Sequence, residues 1–235
     1  MVATPRFSHL MILLLMGSEL TVAVSLLTAL AAAVARRKFI ALLAAGAAIA
    51  VAAGYALVLL GVGGLSGERI LAPGQWKYFC EADCHIAYSI EDVHAEDIKA
   101  AEQASRPPEV TRITVGLKTW FDQNSIASFR GNGPLTPEQR RVVLVDGTGR
   151  EFSPLAGMAA APSTPMTQPL RPGESYITRL LFEVPRGARS LRLLITDVDP
   201  ASHFIIDHEN SPFHGKILLS LPPFPAVAWE VPISQ

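Results

Sequence analysis

Arg36-Arg37-Lys38 sets three cations between two long apolar runs, about His9 to Ala35 and Phe39 to Leu65. Each run exceeds the roughly 20 apolar residues that cross a bilayer core. Basic residues beside a membrane segment stay on the cytoplasmic side, so Arg36, Arg37 and Lys38 fix the short connection there. The N-terminus and everything after Leu65 are then expected outside the cytoplasm, in a multi-pass protein of the cytoplasmic (inner) membrane. That placement sets the redox environment of the only two cysteines, Cys80 and Cys84.

Of 235 residues, about 170 follow the apolar runs, enough for one domain of ordinary size. Four of the 20 cations and one of the 21 acids precede Ser66, so the remainder carries 16 cations against 20 acids, a net of −4. No basic stripe occurs there, which argues against nucleic acid as a partner. Two cysteines are too few to scaffold a fold, so the domain must be held by its own core.

The first 65 residues read as a transmembrane helical hairpin, with helices over about 9–35 and 39–65 and the turn at 36–38. The first run is longer than the core of a signal peptide and is followed by the cytoplasmic cations, so it is expected to be retained. Glu19 lies well inside it, and an intramembrane carboxylate is a functional hypothesis by default. Against that stands the absence of an Asp, Glu, Lys, Arg or His in the second run; Glu19 is expected to be protonated or bonded to the partner helix. Gly46, Ala50 and Gly54 form a four-residue repeat of small side chains that lets another helix approach closely. The nearest partner is the first helix; another protein's helix is the alternative. Gly61, Gly63, Gly64 and Gly67 lead into a linker over 66–75.

From Trp76 the pattern becomes two-residue alternation. Ile113, Val115, Leu117 and Phe121 alternate with Thr114, Lys118 and Trp120, a strand buried on one face. Arg141 to Asp146 is a second strand, Asp146-Gly147-Thr148-Gly149 a turn, and Glu151-Phe152 the return. Tyr176, Thr178, Leu180, Phe182 and Val184 line another strand, which Pro185-Arg186-Gly187 turns into Leu191, Leu193 and Ile195. Shorter candidates are Trp76 to Cys80, His85 to Ile90, Phe204 to Ile206, Lys216 to Leu221 and Ala226 to Val231. Glu91 to Ser105, rich in Glu, Asp and Ala, is expected to be a helix ended by Pro107-Pro108. Ser153 to Pro172, with prolines at 154, 162, 165, 169 and 172, is expected to be a long surface loop. About eight short strands separated by turns predict an all-β sandwich over 76–235.

Leu170-Arg171-Pro172-Gly173-Glu174-Ser175, Leu181-Phe182-Glu183-Val184-Pro185 and Leu191-Arg192-Leu193-Leu194 together resemble a group of bacterial secreted or lipid-anchored domains, the immunoglobulin-like (telokin-like) domains of unknown function. The shared pattern is a proline-glycine turn, a strand ending in valine-proline, a polar turn and a hydrophobic strand, and it covers about residues 76 to 222. The resemblance implies an immunoglobulin-like fold and an adhesion or interaction role, with no catalytic residues to carry over. The expected fold class is two transmembrane α-helices plus an all-β immunoglobulin-like sandwich.

Cys80-Glu81-Ala82-Asp83-Cys84-His85 is the densest polar cluster. Outside the cytoplasm two nearby cysteines form a disulfide by default. Four residues of extended strand span about 13 Å, and a bridge needs Cα atoms within about 7 Å, so Cys80 and Cys84 pair only if the chain coils between them. The other reading is a copper or zinc site using Cys80, Cys84 and His85 with His208 or His214, since thiolate and imidazole suit those metals. A two-helix hairpin leading to a sandwich with Cys-x3-Cys is also similar to cytochrome oxidase subunit II, but that family's next ligands, a histidine and a methionine, fall here on Tyr88 and Glu91. For covalent haem, Cys-x3-Cys-His is one residue too long.

His208-Glu209 lacks the second histidine of a zincin helix at the required spacing, and Pro212 would break that helix. Residues 203–214 are therefore expected to form a polar turn, with Asn210 and Ser211 capping backbone groups. No nucleophile elbow, phosphate loop or dinucleotide fingerprint occurs. The expectation is a non-catalytic interaction or accessory domain of the cell envelope, not an enzyme and without a cofactor, its partners being membrane lipid and another envelope protein met through the sandwich or the second helix. The alternative is a copper- or zinc-handling redox protein.

Overall fold

The computed structural model describes residues 8–79, 85–97, 110–126, 130–155 and 163–222. They divide into two units: a helical one, Pro5–Glu68 with Asp199–Lys216, and a β unit, Arg69–Val198 with the chain from Ile217 onward.

In the helical unit α1 (Ser8–Val34) and α2 (Lys38–Leu65) form the expected hairpin, and both are long and apolar enough to cross a membrane. Arg36 ends α1 in the left-handed region (φ 56°). The Arg37 and Arg36 N–H groups donate back to the Ala32 and Ala33 carbonyls at 2.7 and 3.0 Å, the pattern in which glycine usually closes a helix. An arginine there costs about 1–2 kcal/mol of backbone strain.

The less exposed side of α1 is Met11, Leu15, Ser18, Val22, Ser25, Ala29 and Ala32. Steps alternating between four and three residues are the spacing of a shallow left-handed helix crossing. Across from it α2 offers Ala41, Ala44, Ala48, Val51, Tyr55 and Leu59. The repeat Gly46, Ala50, Gly54 is not in this seam. All three are exposed, and a Cβ on Gly46 or Gly54 would meet nothing within 4 Å. Small residues occupy so many positions of α2 that their spacing alone does not select a face; the heptad-like step does. Gly61, Gly63 and Gly64, expected in a flexible exit, are helical, and Ser66 closes α2 by donating its N–H to Val62 and Gly63.

Among the described residues the β unit has nine strands: β1 (Arg69–Leu71), β2 (Lys77–Phe79), β3 (Ile86–Asp97), β4 (Val110–Phe121), β5 (Arg140–Val145), β6 (Glu151–Phe152), β7 (Ser175–Pro185), β8 (Arg192–Asp197) and β9 (Ile217–Ser220). They form a four-stranded sheet, β2-β3-β4-β7, and a five-stranded sheet, β1-β9-β8-β5-β6. All pairings are antiparallel except β1 with β9. The inward residues of both sheets make one core: Tyr88, Ile113, Val115, Leu117, Phe121 and Phe182 from the first, Leu144, Leu193, Ile195 and Leu219 from the second. Each such side chain contributes about 1.5–3 kcal/mol by leaving water.

Three sequence expectations are corrected. Glu91–Asp97 continues β3 as a strand instead of starting a helix. Its Val93 and Ala95 pack on the core while Glu91, His94 and Glu96 stay exposed, a two-residue period that outweighs the helix-favouring composition. A register shift between Ile90 and Asp92 lets the alternation resume opposite Gly116. Phe204–Ile206 is not a strand; Pro200–Phe204 is a 3₁₀ helix, capped by the Asp199 carboxylate on the Ala201 N–H. Arg69–Leu71, assigned to the linker, is a strand. Within the proline-rich segment Leu170 is buried and paired to Leu135. The strand expected over 226–231 lies outside the described residues.

Candidate functional site

The segment Asp199–Lys216 runs between β8 and β9 in sequence but packs in the helical unit. Its interior sets a polar network beside the buried Ile206. The Ser202 hydroxyl donates to the Asp199 carbonyl at 2.6 Å and accepts from the Asn210 side-chain amide at 2.9 Å. The Asn210 N–H donates to His208 Nδ1 at 3.0 Å, and the Ser211 hydroxyl donates to the His208 carbonyl at 2.7 Å. Ser202, Glu209, Asn210 and Ser211 are all buried. Ser211 thus caps a backbone group as expected, whereas the Asn210 side chain bonds the Ser202 hydroxyl within the same network.

Three contacts hold this segment against the last three turns of α2. The Tyr55 hydroxyl donates to the Phe204 carbonyl at 2.6 Å. The Pro212 carbonyl lies so close to Gly63 that a Cβ there would be 2.1 Å from its oxygen. The Gly215 N–H donates to the Ser66 hydroxyl at 2.8 Å, and a Cβ on Gly215 would lie 2.3 Å from the Gly67 backbone. Backbone approaches this close admit only glycine.

His214 places Nδ1 2.8 Å from the Gly215 carbonyl and Nε2 3.3 Å from Asp207 Oδ1. With Nδ1 of His208 taken up by Asn210, both histidines serve the loop's own structure. His85, by contrast, belongs to the β unit. Among the described residues no group of three or more His, Cys, Asp and Glu side chains could hold a metal ion. Cys80 and Cys84 lie outside the described residues.

His85 is buried, stacked on Phe121 with ring centroids 5.5 Å apart, and its Nδ1 is 2.7 Å from the Ser125 hydroxyl oxygen. A serine within reach of an imidazole is the geometry of a nucleophile and its base. The serine is also tied into its own turn, its hydroxyl donating to the Asp122 carbonyl at 2.7 Å. The Asp122 carboxylate accepts from the Tyr78 hydroxyl at 2.7 Å and the Asn124 N–H at 2.9 Å. Burial, and then the bond to Asp122, push the Tyr78 phenol well above the usual tyrosine range. The cluster locks the end of the β3–β4 hairpin, where the Asp122 N–H also donates to the His85 carbonyl.

Two buried cations bridge the sheets. Lys77 on β2 donates to the Ile195 and Ile217 carbonyls of the opposite sheet, the latter at 2.9 Å. Arg140 on β5 pairs with Asp197 at 2.9 Å, and its guanidinium lies 4.4 Å from the Phe79 ring centroid, on the other face of the core.

Sequence reasoning did not single out Tyr55, Ser66 and Gly215, nor the grouping of Tyr78, His85, Asp122 and Ser125. No protein-family model, curated protein or solved structure matches the chain.

Proposed function

We propose that this chain is a membrane-anchored display module: a two-helix hairpin with its turn in the cytoplasm, carrying an immunoglobulin-like domain in a non-catalytic interaction or accessory role on the extracytoplasmic side. The observation that carries the reading is the folding of Asp199–Lys216 into the helical unit. Among the described residues the chain passes between the units three times, near residues 68, 198 and 216. The strand order supports the immunoglobulin-like part. β3, β4 and β7 pair in one sheet and β6, β5, β8 and β9 in the other, so from β3 onward the chain changes sheets after β4, β6 and β7. The Ser125 hydroxyl, bonded to the Asp122 carbonyl within its own turn, is in keeping with a non-catalytic role.

The orientation follows from Arg36, Arg37 and Lys38, and it leaves Cys80 and Cys84 in an oxidising compartment where they form a disulfide. Alkaline phosphatase, active only when exported, is to be fused between Arg37 and Lys38 and, separately, after Gln235. Activity at the C-terminal fusion alone, in carbonate-washed membranes, is the expected result. Activity at the turn would reverse the orientation, and recovery of the chain in the soluble fraction would overturn the anchor. The unreduced intact mass of the same membrane-extracted protein is expected to be lighter than the dithiol by two hydrogens.

A further inference from the structure

Soluble loops expose polar groups and bury apolar ones; Asp199–Lys216 buries Ile206 but also four polar side chains. Its Ser202, Glu209, Asn210 and Ser211 are buried, while Phe204 is 58% and Phe213 77% exposed. Single exposed apolar side chains are ordinary; two exposed phenylalanines on one short segment with a buried polar network are not. Phe213 is held in the left-handed region (φ 63°), rare for a bulky residue and retained only where the surrounding structure imposes it.

The anchor points on α2 give the depth of both rings. At about 1.5 Å per residue, the 28 residues of α2 extend about 42 Å, against a hydrocarbon core of about 30 Å. With Lys38 at the cytoplasmic surface, the core ends about 20 residues later, near Leu57. Tyr55, bonded to the Phe204 carbonyl, lies at that boundary; Gly63, against Pro212, lies about 12 Å further out, at headgroup level. Asp199, Asp207 and Glu209 outnumber Lys216 in the segment, so its attraction to a membrane would be apolar, not electrostatic.

Resting on the membrane-spanning reading above, we infer that Asp199–Lys216 is an interfacial anchor, inserting Phe204 at the hydrocarbon boundary and Phe213 at the headgroups of the outer leaflet. The test uses the full chain in vesicles of dioleoylphosphatidylcholine, with the photoreactive residue benzoylphenylalanine placed singly at Phe204, Phe213 or Leu57. Lipid adducts at positions 204 and 213, within about threefold of the yield at 57, are the expected result. Tyr55→Phe, which removes the bond to the Phe204 carbonyl, should lower the yield at 204 and leave that at 57 unchanged. Adducts at 57 with none at 204 and 213, or cross-links from 204 and 213 to a second copy of the chain, overturn the anchor while leaving the span intact. Absence of adducts at 57 sinks the span, and the anchor with it.

Discussion

Asp146 shows how one side chain can hold a turn. Its Oδ1 accepts from the Thr148 hydroxyl at 2.6 Å, the Thr148 N–H at 2.8 Å and the Arg150 N–H at 3.0 Å; its Oδ2 accepts from Arg150 Nε at 2.8 Å. The Thr148 hydroxyl first, then the two N–H groups and the guanidinium, hold this carboxyl far below the usual carboxylate range against the opposing effect of burial. An unfolded aspartate titrates at about 3.9. The depressed folded value therefore adds stability that is complete above about pH 4 and is lost as pH falls through the folded value. Asp146→Asn should lower the melting temperature at pH 7, and the gap to wild type should narrow steadily toward pH 2. A gap of constant size across that range would show that the charge contributes nothing. This turn was legible because Asp-Gly-Thr-Gly carries its own chemistry within four residues. The grouping of Tyr78, His85, Asp122 and Ser125 was not, because it depends on the register Ile86 to Phe121, which no local pattern states.

Among the elements, α2 combines three roles that its composition blurs together. One side packs on α1, the Gly46–Ala50–Gly54 side is exposed, and the C-terminal turns receive the Asp199–Lys216 segment. Gly63 and Gly64 are adjacent glycines of one helix, yet a Cβ on Gly64 would meet nothing within 4 Å while one on Gly63 would strike the Pro212 carbonyl. Overpacking costs about 1–3 kcal/mol, and since about 1.4 kcal/mol is a tenfold change in an equilibrium, Gly63→Ala should raise the detached population of the segment about 5–150-fold. Glu209, buried in the attached segment, reports detachment as cleavage by a glutamate-specific protease. Gly64→Ala should cleave at the wild-type rate. Equal rates for the two variants would mean that the Gly63 approach does not hold the segment. Both helices were legible as long apolar runs, the first holding a single acid, Glu19, and β4, β5, β7 and β8 as alternation. Strand β3 beyond Ile90 was misread because Glu, Asp and Ala favour helix locally, whereas pairing of Asp92–Asp97 with Thr111–Gly116 decides the conformation.

At the scale of the whole molecule, sequence order and spatial order part company at one place. The sequence reads as a hairpin, then a linker, then a domain; the chain instead returns to the helical unit between β8 and β9. Nothing in the alternation or composition of 199–216 announces that return, because its contacts are to a tyrosine hydroxyl, a glycine and a serine more than 130 residues earlier. A cut made where the sequence suggests should therefore separate the segment from its support. The fragment Ser66–Gln235 keeps every strand and the core they share but loses Tyr55 and Gly63. In it, Glu209 should become the site cleaved first by a glutamate-specific protease, relative to Glu174 as an internal reference, while the tryptophan-monitored unfolding of the β unit stays cooperative. In the full chain in detergent, Glu209 should stay protected. Equal protection in the fragment would show that the polar network of Ser202, His208, Asn210 and Ser211 folds the segment alone, making α2 only its resting place. General digestion with loss of cooperative unfolding would show instead that the β unit itself needs the helices. Selective cleavage is what the separate cores of the two units lead us to expect, since among the described residues none in the core of the β unit comes from the hairpin or from the segment.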